Sequence, residues 1–140
     1  MKLVYTDMVG DLFHYGHINA LKQSKSFGDY LIVGVHNDET VQSYKRKPIM
    51  TMEQRAKVIE NCKFVDKVIL NAPVKITEEY IKNNKIDIVS ITDTRPDEQN
   101  KIFYSIPMEL GIVKKFKYTK TISTSDIIEN IKLRIKNNTL

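Results

Sequence analysis

Two histidines three residues apart stand in the segment Asp11-Leu12-Phe13-His14-Tyr15-Gly16-His17, which follows an apolar run near the start of the chain. At the beginning of a helix this spacing places both imidazole rings on one face. Gly16 leaves room for a ligand to approach the backbone, and the free N–H groups of a helix N-terminus bind anions. The segment therefore predicts a phosphate site. A metal pair completed by His36, or two surface histidines, remain as alternatives.

A run of hydroxyl residues, Ser123-Thr124-Ser125, follows Ile122 near the other end of the chain. Hydroxyls at a helix start can cap the helix or bind an oxyanion, and capping alone accounts for the run when it is taken by itself. If both segments follow strands of one parallel sheet, they lie at the same edge of that sheet. Together they predict one site that holds a phosphate chain from both sides.

Apolar runs alternate with amphipathic stretches along the chain, and cap residues such as Thr51 and Thr77 mark helix starts. The expected strands are Lys2–Thr6, Tyr30–Val35, Phe64–Leu70, Ile86–Thr92 and Ile112–Lys117. The expected helices are His17–Phe27, one beginning after Thr51 with Ala56, Val58, Ile59 and Cys62 on its buried side, Thr77–Asn84, Lys101–Leu110 and Ser123–Lys136. This alternation predicts an α/β fold with a single doubly wound, five-stranded parallel sheet and helices on both faces.

Glycine and proline positions mark breaks in this pattern. Gly28 is expected to end the first helix as a C-cap, and Pro107 is expected to kink or restart the fourth. The polar stretches 38–48 and 93–100 are expected to be loops.

Length and composition set the class of protein. The 140 residues, with 41% hydrophobic and 28% charged residues, predict one domain over residues 1–140. The absence of a long apolar run, of an export signal and of a second cysteine besides Cys62 predicts a cytoplasmic chain without membrane contact. A basic chain can bind nucleic acid, a membrane surface or an anionic metabolite, but much of the net charge of +5 comes from scattered lysines, so charge alone does not predict a nucleic-acid partner.

The sequence resembles the cytidylyltransferase group of nucleotidyltransferases. His14-Tyr15-Gly16-His17 resembles the group's His-x-Gly-His signature, and Ile122-Ser123-Thr124-Ser125 resembles its Ile-Ser-Thr-Ser/Thr signature. The connecting segments Tyr30–Glu39, Met50–Arg55 and Phe64–Val68 also resemble choline-phosphate and glycerol-phosphate cytidylyltransferases. The resemblance covers about residues 4–131.

The resemblance implies a reaction and a set of site residues. The reaction would transfer CMP from CTP to a phosphorylated small molecule, with release of pyrophosphate and with Mg²⁺ held mainly by phosphates rather than by protein ligands. His14, His17 and Lys45 would be catalytic. The nucleotide and its phosphates would be bound by Val9, Gly10, Asp11 (which would also orient the histidines), Gly16, Arg55, Asp93, Ile122, Ser123, Thr124 and Ser125. Relatives are commonly dimers, so a homodimer is expected.

The chain departs from its relatives near the expected acceptor. Tyr118 stands where relatives carry arginine, and Thr94 where they carry an acid. Arg95 would oppose a bare cation and favour a carboxylate, so Lys45, Arg95 and Tyr118 are expected to bind a phosphorylated amino acid such as glutamine phosphate, a capsule precursor. Phosphocholine, phosphoethanolamine and glycerol 3-phosphate stay open as acceptors. An ATP-dependent adenylyltransferase and a non-catalytic nucleotide-binding regulatory module are the rival functions.

Overall fold

The structure, a computed structural model, describes all of residues 1–140. Its strands are β1 (Leu3–Met8), β2 (Tyr30–Val35), β3 (Lys67–Leu70), β4 (Ile88–Thr92) and β5 (Val113–Phe116). Its helices are α1 (Tyr15–Ser26), α2 (Asp38–Gln42), α3 (Met52–Glu60), α4 (Glu78–Asn83), α5 (Asp97–Phe103), α6 (Ser105–Glu109) and α7 (Thr124–Lys136).

All five strands belong to one parallel sheet with the order β3-β2-β1-β4-β5. The chain builds outward from the central β1 to one edge and then returns to β4 on its other side. The strand order therefore reverses between β1 and β4, where ligands bind in sheets of this type. The predicted fold class, a doubly wound five-stranded parallel sheet, is confirmed.

Apolar side chains cover both faces of the sheet, as neighbouring residues of a buried strand must. On one face Val4 of β1 packs in a cluster with Leu21 of α1 and Ile59 of α3. On the other face Tyr5 packs in a second cluster with Ile81 of α4. The two clusters fix the helices on opposite faces, and because all the strands are parallel, the loops that follow them lie at one end of the sheet.

Several local predictions were wrong in instructive ways. Gly28 does not form a left-handed cap, because Phe27 is the C-cap in right-handed conformation. A side chain at Gly28 would lie 2.7 Å from the Lys2 carbonyl oxygen, so close approach to β1 is what requires glycine there. Val58 of α3 is exposed rather than buried. The fourth predicted helix breaks at Tyr104, and Pro107 lies in the first turn of α6, where no backbone N–H is needed.

Two predicted loops contain short helices, and one predicted strand begins late. Asn37 caps α2, whose Thr40 N–H donates to the Asn37 side chain, and α5 begins after Pro96. Residues 64–66 precede β3 instead of belonging to it, although Asp66 already pairs with β2: its carboxylate accepts from the Leu31 N–H and its own N–H donates to the Leu31 carbonyl. No helix in the structure combines the length and the apolar character needed to cross a bilayer.

Candidate active site

A cavity of about 510 Å³ opens beyond the carboxyl ends of β1 and β4. The histidine segment forms one of its walls and the hydroxyl segment another. The Tyr15 hydroxyl lies 2.6 Å from the Thr121 hydroxyl, and the Thr124 hydroxyl donates to the Asp11 carbonyl oxygen at 2.8 Å. Residues more than 100 positions apart in sequence are therefore in contact. The prediction that the two turns converge on one site is confirmed.

The two histidines cap α1 with their own rings. The Gly16 N–H donates to Nδ1 of His14 at 3.0 Å, and the His14 N–H donates to Nδ1 of His17 at 3.1 Å. A side chain at Gly16 would lie 2.8 Å from the His14 ring, so glycine makes room for this imidazole rather than for a ligand. The caps fold both rings against the helix start, with their centroids 3.9 Å apart.

These caps decide which ring nitrogen carries the proton. An Nδ1 that accepts a hydrogen bond is unprotonated, so the proton of each neutral ring sits on Nε2. Burial lowers the pKa of His14. Burial, then the neighbouring His14 and Lys45, lowers the pKa of His17 to about 4. Near neutral pH both rings are therefore neutral, with Nε2–H groups free to donate to an anion in the cavity.

The hydroxyl cluster begins α7, and each of its members has a separate role. The Ser123 hydroxyl accepts from the Asp126 N–H at 3.1 Å and so caps the helix, while Thr124 is tied to the Asp11 carbonyl. The Ser125 hydroxyl accepts from Nη1 of Arg46 at 3.2 Å. The N–H groups of Thr124 and Ser125 have no partner within the first turn, so this wall offers hydrogen-bond donors and the positive end of a helix dipole.

The third wall is the loop between α2 and α3, residues 43–51, called here the basic loop because it contains Lys45, Arg46 and Lys47. Asp11 binds the end of this loop that leads into α3. The Asp11 carboxylate accepts from the N–H groups of Ile49 and Met50 at 2.8 and 2.9 Å. Asp11 thus anchors the loop instead of orienting the histidines, which corrects the prediction. Lys45 and Arg46 line the cavity. Partial withdrawal from solvent, followed by repulsion from Arg46 and Arg95, lowers the pKa of Lys45.

Arg55 does not line the cavity, which corrects its predicted role as a phosphate ligand. Its side chain is fully buried, and it donates to the carbonyl oxygens of Met50, Val9 and His36 and to the Asp38 carboxylate. The guanidinium joins the ends of β1 and β2 to the basic loop. It is a structural residue that supports the site from below.

Gly10, next to Val9, lies in left-handed conformation with φ of +70°. A side chain there would overlap Ile59, at 2.7 Å from its Cδ1. Glycine therefore lets the backbone turn sharply after β1 and brings Val9, Gly10 and Asp11 to the cavity wall.

The remaining predicted residues separate into two groups. Asp93 does not line the cavity, and its carboxylate accepts from the Tyr118 N–H at 3.0 Å, so it holds the loop after β5 rather than a nucleotide. Tyr118 and Arg95 do line the cavity. The Arg95 guanidinium lies 5.8 Å from the centroid of the Tyr104 ring.

One end of the cavity, which the sequence did not predict, is a buried polar cluster of Asp7, His36 and Tyr104. All three line it, and the Asp7 side chain is only 6% exposed. The Asp7 carboxylate accepts from the Tyr104 hydroxyl at 2.7 Å and lies 3.3 Å from Nε2 of His36. The signal was present in the sequence, since Asp7 is a carboxylate inside an apolar strand and therefore needs partners.

His36 is turned away from His14 and His17, toward Asp7 and the Ala72 carbonyl. The structure contains no group of three or more His, Cys, Asp or Glu side chains arranged to hold a metal ion. His14 and His17 therefore have no third side chain beside them that could complete a metal site.

A cavity at the switch point of a parallel sheet, lined by neutral imidazoles, cations and a helix N-terminus, is suited to a ligand that carries phosphate groups. The sequence model of the cytidylyltransferase-like family matches residues 10–130. The chain belongs to this family.

Curated relatives carry the names of cytidylyltransferases. Ethanolamine-phosphate cytidylyltransferase of Dictyostelium discoideum is 38% identical over 135 residues, covering 93% of this chain and 38% of the relative. Choline-phosphate cytidylyltransferase 2 of Arabidopsis thaliana is 41% identical over 134 residues, covering 91% of this chain and 44% of the relative. The chain thus spans about two fifths of the length of these relatives.

Among solved structures, a lipopolysaccharide core biosynthesis protein of Thermoplasma volcanium has the same fold over nearly its whole length. It matches with a TM-score of 0.68 and 32% identity, covering 87% of this chain and 99% of that one. An Archaeoglobus fulgidus protein of unknown function, 18% identical with a TM-score of 0.59, supports the fold alone.

Proposed function

We propose that this protein transfers CMP from CTP to a phosphorylated small molecule and releases pyrophosphate. One observation carries the proposal: two neutral imidazoles and the N-terminus of α7 face each other across a single cavity, tied by the Thr124–Asp11 hydrogen bond. In this arrangement the α-phosphate of CTP would lie at the histidines, and its β- and γ-phosphates would lie at the hydroxyls. Family membership supports the same reaction.

The chemistry asks for positioning and charge stabilisation rather than a strong base. An acceptor phosphate oxygen attacks the α-phosphorus, the new P–O bond forms in line, and the bond to the β-phosphate oxygen breaks. His14 and His17 donate through Nε2–H to the α-phosphate oxygens, where negative charge builds up in the transition state. Lys45 offsets the charge of the attacking and leaving groups from the third wall.

Mg²⁺ supplies charge neutralisation on the leaving pyrophosphate when it is bound. The nearest carboxylate to the histidines, Asp11, uses both oxygens on backbone N–H groups. The protein therefore offers no carboxylate cage here, and the ion would be held by triphosphate oxygens and water.

The acceptor we propose first is phosphoethanolamine, a phosphate that carries a small amine. The names of the relatives support an ethanolamine or choline head group, and the buried Asp7 provides a carboxylate for an ammonium. The comparisons do not support glutamine phosphate as acceptor. A phosphorylated amino acid stays as second candidate for one reason: Arg95 lines the same end of the cavity and would pair with its carboxylate.

The test is pyrophosphate release measured with CTP or ATP against phosphoethanolamine, phosphocholine, glycerol 3-phosphate and amino-acid phosphates. We expect turnover with CTP and phosphoethanolamine, and a loss of about 100- to 1,000-fold in kcat for His14→Ala or His17→Ala. Better turnover with ATP would contradict the choice of nucleotide. No turnover with any pair, together with retained CTP binding, would favour a non-catalytic nucleotide-binding module instead.

A further inference from the structure

His36 and Asp7 form a buried pair at the acceptor end of the cavity, and the geometry of the pair fixes a proton. Nδ1 of His36 lies 3.1 Å from the Ala72 carbonyl oxygen, which can only accept, so Nδ1 carries a hydrogen. Nε2 of the same ring lies 3.3 Å from Oδ2 of Asp7. A bare Nε2 facing a carboxylate would be repulsive, so a second proton must lie between these two atoms.

The surroundings of Asp7 place that proton on the ring. The other oxygen of Asp7 already accepts from the Tyr104 hydroxyl at 2.7 Å, and hydrogen bonds to a carboxylate favour its charged form. His36 is 5% exposed, and a buried carboxylate requires a nearby positive charge. The pair is therefore an imidazolium and a carboxylate with zero net charge.

No other cation contacts Asp7 directly. The neighbouring Tyr5, Tyr44, Tyr80 and Tyr104 stay neutral, since burial and the charge of Asp7 raise the pKa of each. The Arg55 guanidinium is directed to the His36 carbonyl and to Asp38. The Arg95 guanidinium lies 5.8 Å from the centroid of the Tyr104 ring, and it forms no salt bridge with Asp7.

We propose that His36 is a positioning residue for the acceptor: it holds Asp7 as a fixed carboxylate that receives the amine of the acceptor. This inference rests on the proposed function. The Tyr104 hydroxyl donates to one oxygen of the carboxylate, the His36 ring lies 3.3 Å from the other, and the carboxylate lines the cavity. His36 acts through Asp7 and does not itself contact the acceptor.

The variants are His36→Leu, which removes the donor, and His36→Gln, whose side-chain amide can donate in place of Nε2. We expect His36→Leu to raise the KM for phosphoethanolamine about 10- to 100-fold, as for the loss of a hydrogen bond to a charged group. The KM for CTP should stay within about twofold. His36→Gln should restore most of the KM for phosphoethanolamine.

A second readout does not depend on activity. In the ¹⁵N spectrum of the full chain near pH 7, both ring nitrogens of His36 should carry protons, while His14 and His17 each show one bare nitrogen. A bare nitrogen on His36 would overturn the inference, and so would an equal rise of the KM for CTP and for the acceptor in His36→Leu. If the wild-type chain shows no turnover, the proposed function fails, and the ring spectrum still decides the charge of His36.

Discussion

Acidification tests the neutral state of the histidine pair, and His17 gives the clearest signal. Its pKa is lowered from 6.5 to about 4 by burial and by the neighbouring His14 and Lys45. Between these values the unfolded chain binds a proton that the folded chain does not. The free energy of unfolding therefore falls as pH drops through this window, and the loss is complete once pH passes below about 4.

The size of the effect follows from the gap between the two values. A gap of about 2.5 pKa units corresponds to about 3 kcal/mol in full. Because the ring is partly exposed, we expect on the order of 2 kcal/mol of this between about pH 7 and about pH 4.5. The main physical origin is burial of the ring, followed by repulsion from His14 and Lys45. Protonation of Nδ1 would also break the cap, because this atom could no longer accept from the His14 N–H.

The assay is urea unfolding at a series of pH values, with His17→Gln as the matched variant that cannot titrate. The difference in unfolding free energy between the two proteins should shrink steadily below about pH 6.5. Two carboxylates also make the unfolding free energy depend on pH, but at lower pH and equally in both proteins. Burial raises the pKa of Asp66, but its hydrogen bonds to Lys25 and the Leu31 N–H outweigh this and lower it. The hydrogen bond to Lys115 lowers the pKa of Asp97. Parallel curves for the two proteins would refute a neutral, capped His17.

Three further perturbations test separate parts of the site. Arg46→Gln should weaken CTP binding about tenfold and leave CMP binding unchanged in calorimetry, because the Arg46 guanidinium contacts Ser125, where the terminal phosphates of CTP are expected. The control is Lys47→Gln at an exposed neighbouring residue, and an equal loss of CTP affinity in both variants would contradict a specific contact of Arg46. Arg55→Met should lower the unfolding free energy by about 3–5 kcal/mol, because it leaves the Asp38 carboxylate and three carbonyl oxygens without their donor. A loss below about 1 kcal/mol would show that Arg55 is not a structural residue. Gly10→Ala should cost about 2–3 kcal/mol in the same urea assay, and Gly111→Ala about 1, because both residues have positive φ but only Gly10 has a close neighbour; equal losses would refute the overlap.

The sheet and the meeting of the two motifs could be predicted because both follow from local pattern. Apolar runs such as Tyr30–Val35 show their strands directly, and parallel strands place the following turns at one edge. His14, His17 and the Ser123–Ser125 run therefore had to share one site once the fold was known.

The roles of the charged residues could not be predicted, because they depend on tertiary partners. Arg55 was expected to bind phosphate and Asp11 to orient the histidines. Instead, both side chains form hydrogen bonds with backbone groups of the basic loop. In the same way, the Asp93 carboxylate accepts a hydrogen bond from the Tyr118 N–H. The pair of Asp7 and His36 arises from the register of β1 against β2, which places their ends side by side.

A titration of the ¹⁵N-labelled chain with CTP, pyrophosphate and cytidine tests whether one phosphate chain spans the histidines and the hydroxyl segment. CTP should shift both the Nε2 signals of His14 and His17 and the backbone N–H signals of Thr124 and Ser125, in one saturating event. Pyrophosphate should shift the hydroxyl segment strongly, and cytidine should leave both groups of signals in place. If CTP moves only one of the two groups, a single phosphate chain does not span them, and the proposed transfer reaction is contradicted.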